Sequence, residues 1–189
     1  MTSIVLPDYS GQSIVNLVQS IATACGSADA RYPELDALPA ATLNQARHIV
    51  LLVVDGLGQR TLERHPACPN LQRHAIASVS SVFPSTTASA ITTFMSGLAP
   101  AQHGLTGWHI YLEEIGKTLA ILPLTPRGGP PLATPETLPA RLFAQPTLFE
   151  QLDRESWVIT PRSIAGSMRL KSSLVGIRPV TLADRKTVV

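Results

Sequence analysis

Ile49-Val50-Leu51-Leu52-Val53-Val54 is an unbroken apolar run, two thirds of it β-branched, and it leads straight into Asp55-Gly56-Leu57-Gly58. A strand covered on both faces of a parallel sheet has no wet side, so it reads as continuous apolar sequence rather than as alternation. This stretch therefore predicts a central strand of an α/β sheet. In open sheets of that kind ligands bind outside the carboxyl ends of the strands, which makes Asp55 a candidate site residue. Capping of the next helix, near Gln59 to Arg64, is the competing role for the same carboxylate.

Downstream, Asn70 to His74 completes a helical region, and Ala75 to Val82 is a second β-favouring run. It ends on Phe83-Pro84-Ser85-Thr86-Thr87-Ala88-Ser89-Ala90, after which Ile91, Phe94, Met95 and Leu98 share one helix face. Hydroxyls at a helix start lie where backbone N–H groups are unpaired and the helix dipole is positive, a setting that suits an anion. Ser85 or Thr86 acting only as an N-cap is the plainer reading. Strand, helix, strand, helix argues an α/β fold with a mainly parallel sheet flanked by helices, joined by right-handed crossovers. Asp55 and Thr87 then fall at one sheet edge, a carboxylate and a hydroxyl close in space although far apart in sequence.

Upstream, Gln12 to Cys25 carries Ile14, Leu17, Val18, Ile21 and Cys25 at helical spacing, and Gly26 stops the pattern. Asp29 to Asn44, with Pro33 and Pro39, reads as a surface connection. Beyond Gly97 a loop precedes Trp108 to Leu112 and Thr118 to Leu122, two strands of a hairpin around residues 113–117. Residues 123–139 form a Pro/Gly-rich surface excursion. Thr147 starts another helix through Asp153, with Leu148, Phe149 and Leu152 inward, and Ser156 to Thr160 returns as a strand. Residues 168–189 read as an irregular, basic tail. The expectation is a single α/β domain over 1–189.

Composition narrows the classes. In 189 residues, 44% hydrophobic and 15% charged content describes a folded globular chain. A net charge of +2 with no Lys/Arg stripe argues against a nucleic-acid polymer as partner. No stretch reaches the length of a membrane span, and no charged region followed by an apolar one marks a leader, so the expected location is cytoplasmic. Cys25 and Cys68 stand in no metal or redox spacing and read as idle thiols. A serine hydrolase is disfavoured by the absence of a Gly-x-Ser-x-Gly elbow.

Taken together, Val53-Val54-Asp55-Gly56, Phe83-Pro84-Ser85-Thr86-Thr87 and Ser96-Gly97-Leu98-Ala99-Pro100-Ala101-Gln102-His103-Gly104 resemble the type I phosphodiesterase/nucleotide pyrophosphatase family of the alkaline phosphatase superfamily. The resemblance covers Ile49 to Trp108 and extends plausibly to Ser163. It implies an alkaline-phosphatase-like fold and a metal-dependent hydrolase of phosphate esters or diesters, working with a Thr nucleophile and two divalent ions, Zn2+ in the family. Asp55 resembles the metal-ligand Asp. Thr87 resembles the nucleophile that also binds metal; counting back from Gly97 selects Thr87, with Thr86 as its neighbouring alternative. Metal coordination at a helix start is a sound way to favour the alkoxide of a poor nucleophile such as Thr. The implied partner is a small phosphate-ester substrate, with no membrane and no stated oligomeric state.

Two departures qualify what the resemblance carries. The family places an Asn five positions after the His-Gly histidine, where it binds a phosphate oxygen. Trp108 stands there, with His109 beside it, so specificity for nucleotide diesters does not carry over. His103 itself reads as a structural loop residue. Second, the family's remaining metal ligands are Asp and His residues of a downstream half. No histidine follows His109, and His48, His65 and His74 show no ligand spacing. Two zinc centres take about three protein ligands each. The expectation is therefore a truncated, N-terminal part of a larger catalytic domain. Its alternative is an inactive remnant or anion-binding module that lacks the downstream ligands.

Overall fold

A computed structural model describes residues 5–130, 132, 145–161 and 177–182 of the chain. The first helix, α1 (Ile14–Ala24), begins after Ser13 and closes on Cys25, and Gly26 follows with φ of +92°, the left-handed stop expected there. Its buried face is not the purely apolar one predicted. Val15, Val18 and Ala22 are buried, but so are Asn16, Gln19 and Ser20, while Ile14, Leu17 and Ile21 are half-buried.

Those polar side chains have a definite task. Asn16 Nδ2 donates to the carbonyls of Tyr9 and Pro33, both at 2.8 Å. Gln19 Nε2 donates to the Asp29 carbonyl at 3.0 Å, and Ser20 Oγ accepts from the Leu35 N–H at 2.8 Å. The connection over 29–36 has no ladder of its own, so α1 supplies partners for backbone groups that would otherwise be stranded against it. A short helix, α2 (Ala40–Leu43), ends this connection and packs back on α1.

The small helices α3 (Gln59–Arg64) and α4 (Pro69–Arg73) follow where helical character was expected, with Pro69 in the first turn, and neither buries a residue. The helix α5 (Thr87–Ser96) packs against α1 and is followed by α6 (Pro100–His103). Val15, Val82 and Ala99 form one apolar cluster between these elements, and Val18, Ala22 and Leu148 form a second, with Phe94 and Leu152 against it. The predicted helix at 148–153 is a single 3-10 turn over Leu148–Gln151, with Glu150 accepting from the Thr147 N–H.

The hairpin forms as read. Strands β1 (His109–Leu112) and β2 (Lys117–Ala120) pair antiparallel, with Ile110 opposite Leu119 and Leu112 opposite Lys117. A 3-10 turn over Glu113–Ile115 joins them, and Gly116 (φ +60°) makes the left-handed step that a side chain would resist. A two-residue strand, β3 (Thr125–Pro126), adds to β2. Leu105, Leu112, Leu119 and Ile121 form its own core. Strand β4 (Ser156–Pro161) runs parallel to β5 (Ile177–Leu182). That second strand falls inside the stretch read as an irregular tail. The remainder of the tail, and residues 131 and 133–139 of the excursion, lie outside the described residues.

The expected mainly parallel sheet is not what the described residues build. They form mixed helices, a three-stranded antiparallel sheet and one parallel strand pair. The Ile49–Val54 run joins neither sheet, and Val50 and Leu52 are 88% and 79% exposed. The second β-favouring run does not build a sheet strand either. The Ala75–Val82 segment is drawn to the start of α1: Ser80 N–H donates to the Gln12 carbonyl at 2.9 Å, and Ile14 N–H donates to the Ser80 carbonyl at 3.0 Å. Ser13 and Ser80 thus make an isolated parallel bridge, and only that. A run can become a strand only by exchanging backbone hydrogen bonds with a neighbour, and among the described residues 49–53 exchange none.

Candidate active site at the start of α5

The sequence around α5 fixes its first turn by side-chain chemistry. Thr86 is the N-cap, in extended conformation, and its Oγ1 accepts from the Ser89 N–H at 3.3 Å. Ser89 is fully buried and its hydroxyl donates to the Leu105 carbonyl at 2.9 Å, which ties the turn to the loop after α6. Gly97, left-handed at φ of +72°, ends the helix. Thr86 therefore plays the plain capping role that the sequence allowed for it.

Thr87, the next residue, points its hydroxyl elsewhere. Its Oγ1 donates to Asp55 Oδ2 at 3.0 Å, across 32 positions of sequence. The carboxylate and the hydroxyl meet although the sheet expected to align them is absent. Asp55 is exposed and Thr87 half-buried, so the pair is open to a ligand from solvent. A hydroxyl bound to a carboxylate has an acceptor for its proton, which is the arrangement that turns an alcohol into a nucleophile. Its place at the first position of a ten-residue helix adds the positive end of the dipole.

His103 is not at the pair. It is buried, its Nδ1 accepts from the Leu105 N–H at 3.0 Å, and its Nε2 lies 3.4 Å from Thr93 Oγ1. It orders the loop behind α5, as read. Trp108 and His109 are exposed at the start of the hairpin. Cys25 is buried, and burial pushes its thiol above the usual cysteine range against the opposing pull of Arg154. A raised thiol pKa makes a poor nucleophile. A cleft of about 590 Å3 lined by Lys117, Thr118 and residues 126–130 contains neither Asp55 nor Thr87.

The donor set for metal is incomplete. Asp55 and Thr87 supply one carboxylate and one hydroxyl, whereas a zinc centre takes about three protein ligands. Among the described residues no group of three or more His, Cys, Asp or Glu side chains could hold an ion. Two zinc ions do not fit what these residues offer. Also among the described residues, no helix is long and apolar enough to cross a membrane.

Sequence reasoning missed the buried polar face of α1 and the contacts that join residue 46 to residue 154. The first carries no periodic signal because Asn, Gln and Ser on a helix normally read as its wet side.

The comparison with known proteins supplies the class: residues 49–122 match the family model of type I phosphodiesterase / nucleotide pyrophosphatase. The match takes in Asp55, Thr87, the His103 loop and both long strands of the hairpin, and it covers less than half of the chain. It supports a phosphodiesterase/pyrophosphatase-type hydrolase in general terms. No curated protein and no solved structure matches the chain.

Proposed function

We propose that this chain carries the nucleophile half of a phosphate-ester or diester hydrolase site, with Thr87 as the attacking residue and Asp55 as its partner. The observation that carries the reading is the Thr87 Oγ1–Asp55 Oδ2 hydrogen bond within the segment matched to the family. In the reaction the Thr87 oxygen attacks phosphorus, its proton passes to the carboxylate, and the bond to the leaving alkoxide breaks. Water then cleaves the phosphoryl-threonine and releases the phosphate product. The helix start favours the anionic group as it approaches. Thr86, occupied as the cap, is the weaker candidate for attack.

The resemblance also implies two divalent ions, which would neutralise the carboxylate and polarise the phosphate. Because the described residues supply too few donors, no step is assigned to them. That same shortage favours a second reading, in which the chain binds phosphate esters at α5 without turning them over.

Hydrolysis of bis-p-nitrophenyl phosphate, with and without added zinc, separates the two. Turnover that falls by about 10²-fold or more in both Thr87→Ala and Asp55→Asn supports the hydrolase. Turnover that survives Thr87→Ala overturns the assignment. No turnover under either condition, with phosphate-ester binding that Thr87→Ala abolishes, selects the binding module.

A further inference from the structure

The cleft beside the hairpin has walls of fixed shape. Lys117 and Thr118 open β2, and the Arg127 N–H donates to the Thr118 carbonyl at 2.8 Å. That bond carries the β2–β3 pairing one residue past β3 and sets Arg127 opposite Thr118. A turn follows at once: the Gly129 N–H donates to the Pro126 carbonyl at 3.2 Å, with Gly128 left-handed at φ of +75°. Pro126 and Pro130 flank the turn, and each ring locks its own φ. Leu132 packs against the hairpin's core cluster, so the far wall stands on the same core as the strands.

The charge of this cleft has one sign. Lys117 and Arg127 both line it, and no carboxylate does. Neither cation has an ion-pair partner among the described residues, although Glu113 and Glu114 lie exposed on the turn just before β2. Like charges that share a cleft repel, and a bound anion replaces that repulsion by attraction to both. The main chain is accessible as well. The Gly128 N–H makes no backbone hydrogen bond among the described residues, and a Cβ at Gly128 would meet nothing within 4 Å, so a ligand can approach the backbone there. The volume of about 590 Å3 is that of a small-molecule site and exceeds what a single inorganic anion fills.

We propose that the cleft is a second anion site, one that takes a small organic phosphate. The phosphate lies between Lys117 and Arg127, and the organic part lies against Pro126, Pro130 and Leu132. Arg127 offers a planar pair of donors to two phosphate oxygens, and Lys117 adds a point charge. Neither Asp55 nor Thr87 lines the cleft, and no carboxylate or imidazole there could take a proton from the Thr118 hydroxyl. The ligand is therefore held at this site and not cleaved.

The test is a titration of the 15N-labelled full chain with phenylphosphonate, a phosphate-ester mimic with no ester bond to cleave, followed by amide chemical shifts. The expected result is saturable shifts at Thr118, Arg127 and Gly128, with binding weakened by at least about tenfold in Lys117→Ala/Arg127→Ala. Both side chains are exposed, so the variant is expected to keep its fold, which the same spectra report. Hairpin shifts that persist at full strength in Thr87→Ala support a site separate from α5, and their loss in that variant overturns it. The proposal also fails if no hairpin shift appears up to about 10 mM ligand, where a millimolar site is nearly saturated, or if the double variant binds as the unsubstituted chain does. Benzyl alcohol, which keeps the ring without the charge, is expected to leave the hairpin amides unmoved, and equal binding would overturn the role of the cations. Inorganic phosphate that binds as tightly as phenylphosphonate would overturn the organic part of the assignment.

Discussion

The hairpin at residues 109–120 and the run at residues 49–54 are drawn from the same kind of β-favouring sequence, yet one is paired and the other is not. Strand β1 meets β2 across a four-residue connection with its own left-handed glycine, so register and partner are both decided locally. The run has to find its partner at long range, and the cost of closing a connection rises with its length before any contact rewards it. Alternation or continuity in a sequence states what conformation a segment prefers. It says much less about which edge the segment will meet.

The sharpest way to break the hairpin side of the comparison is Leu119→Ala. Leu119 is fully buried among Leu105, Leu112 and Ile121, and its loss is expected to cost about 2–5 kcal/mol in denaturant unfolding. A change under about 0.5 kcal/mol would mean that this cluster does not hold the hairpin.

A smaller effect is expected at the start of α5. Thr86→Ala removes the cap of α5 and is expected to cost about 1 kcal/mol, with Thr86→Ser recovering most of it in the same thermal melt. Recovery by Ser and not by Val would identify the hydroxyl, rather than the side-chain volume, as the cause.

The smallest thermodynamic effect belongs to the Ala46–Arg154 contact. Arg154→Ala is expected to change stability by less than about 0.5 kcal/mol, because Arg154 is exposed and loses a single bond. A loss above about 1 kcal/mol in denaturant unfolding would show that more than one exposed hydrogen bond ties residue 154 to the fold.

Much of the local structure was legible from residue types. Gly26 and Gly97 marked helix ends, period 3.6 located α1 and α5, and the hairpin followed from two short apolar strands around a Glu-Glu-Ile-Gly-Lys turn. The Asp55–Thr87 meeting was legible as well, although for a reason the structure does not share. It was expected from a sheet edge, and it is made by the hydrogen bond that joins the two side chains. The capture of Ser80 by the start of α1 was not legible. It rests on backbone donors and acceptors, which every residue carries and no residue type advertises. The shortfall in metal donors was legible at once, from the absence of histidine after His109.

Asn16 shows how unevenly such a structure distributes its constraints. One carboxamide gathers the carbonyls of Tyr9 and Pro33 beneath α1. The interaction addresses main-chain oxygens at one end and a particular side chain at the other. Position 33 can change identity without altering the atom that is bound, whereas position 16 has no substitute. Aspartate keeps its shape but has no N–H to give, and leucine fills the space with nothing to offer. A map of tolerated substitutions over the first forty residues should therefore show sharply intolerant helix positions, Asn16 foremost, facing a permissive connection. Read without the structure, that pattern would be mistaken for a binding residue beside an unimportant loop.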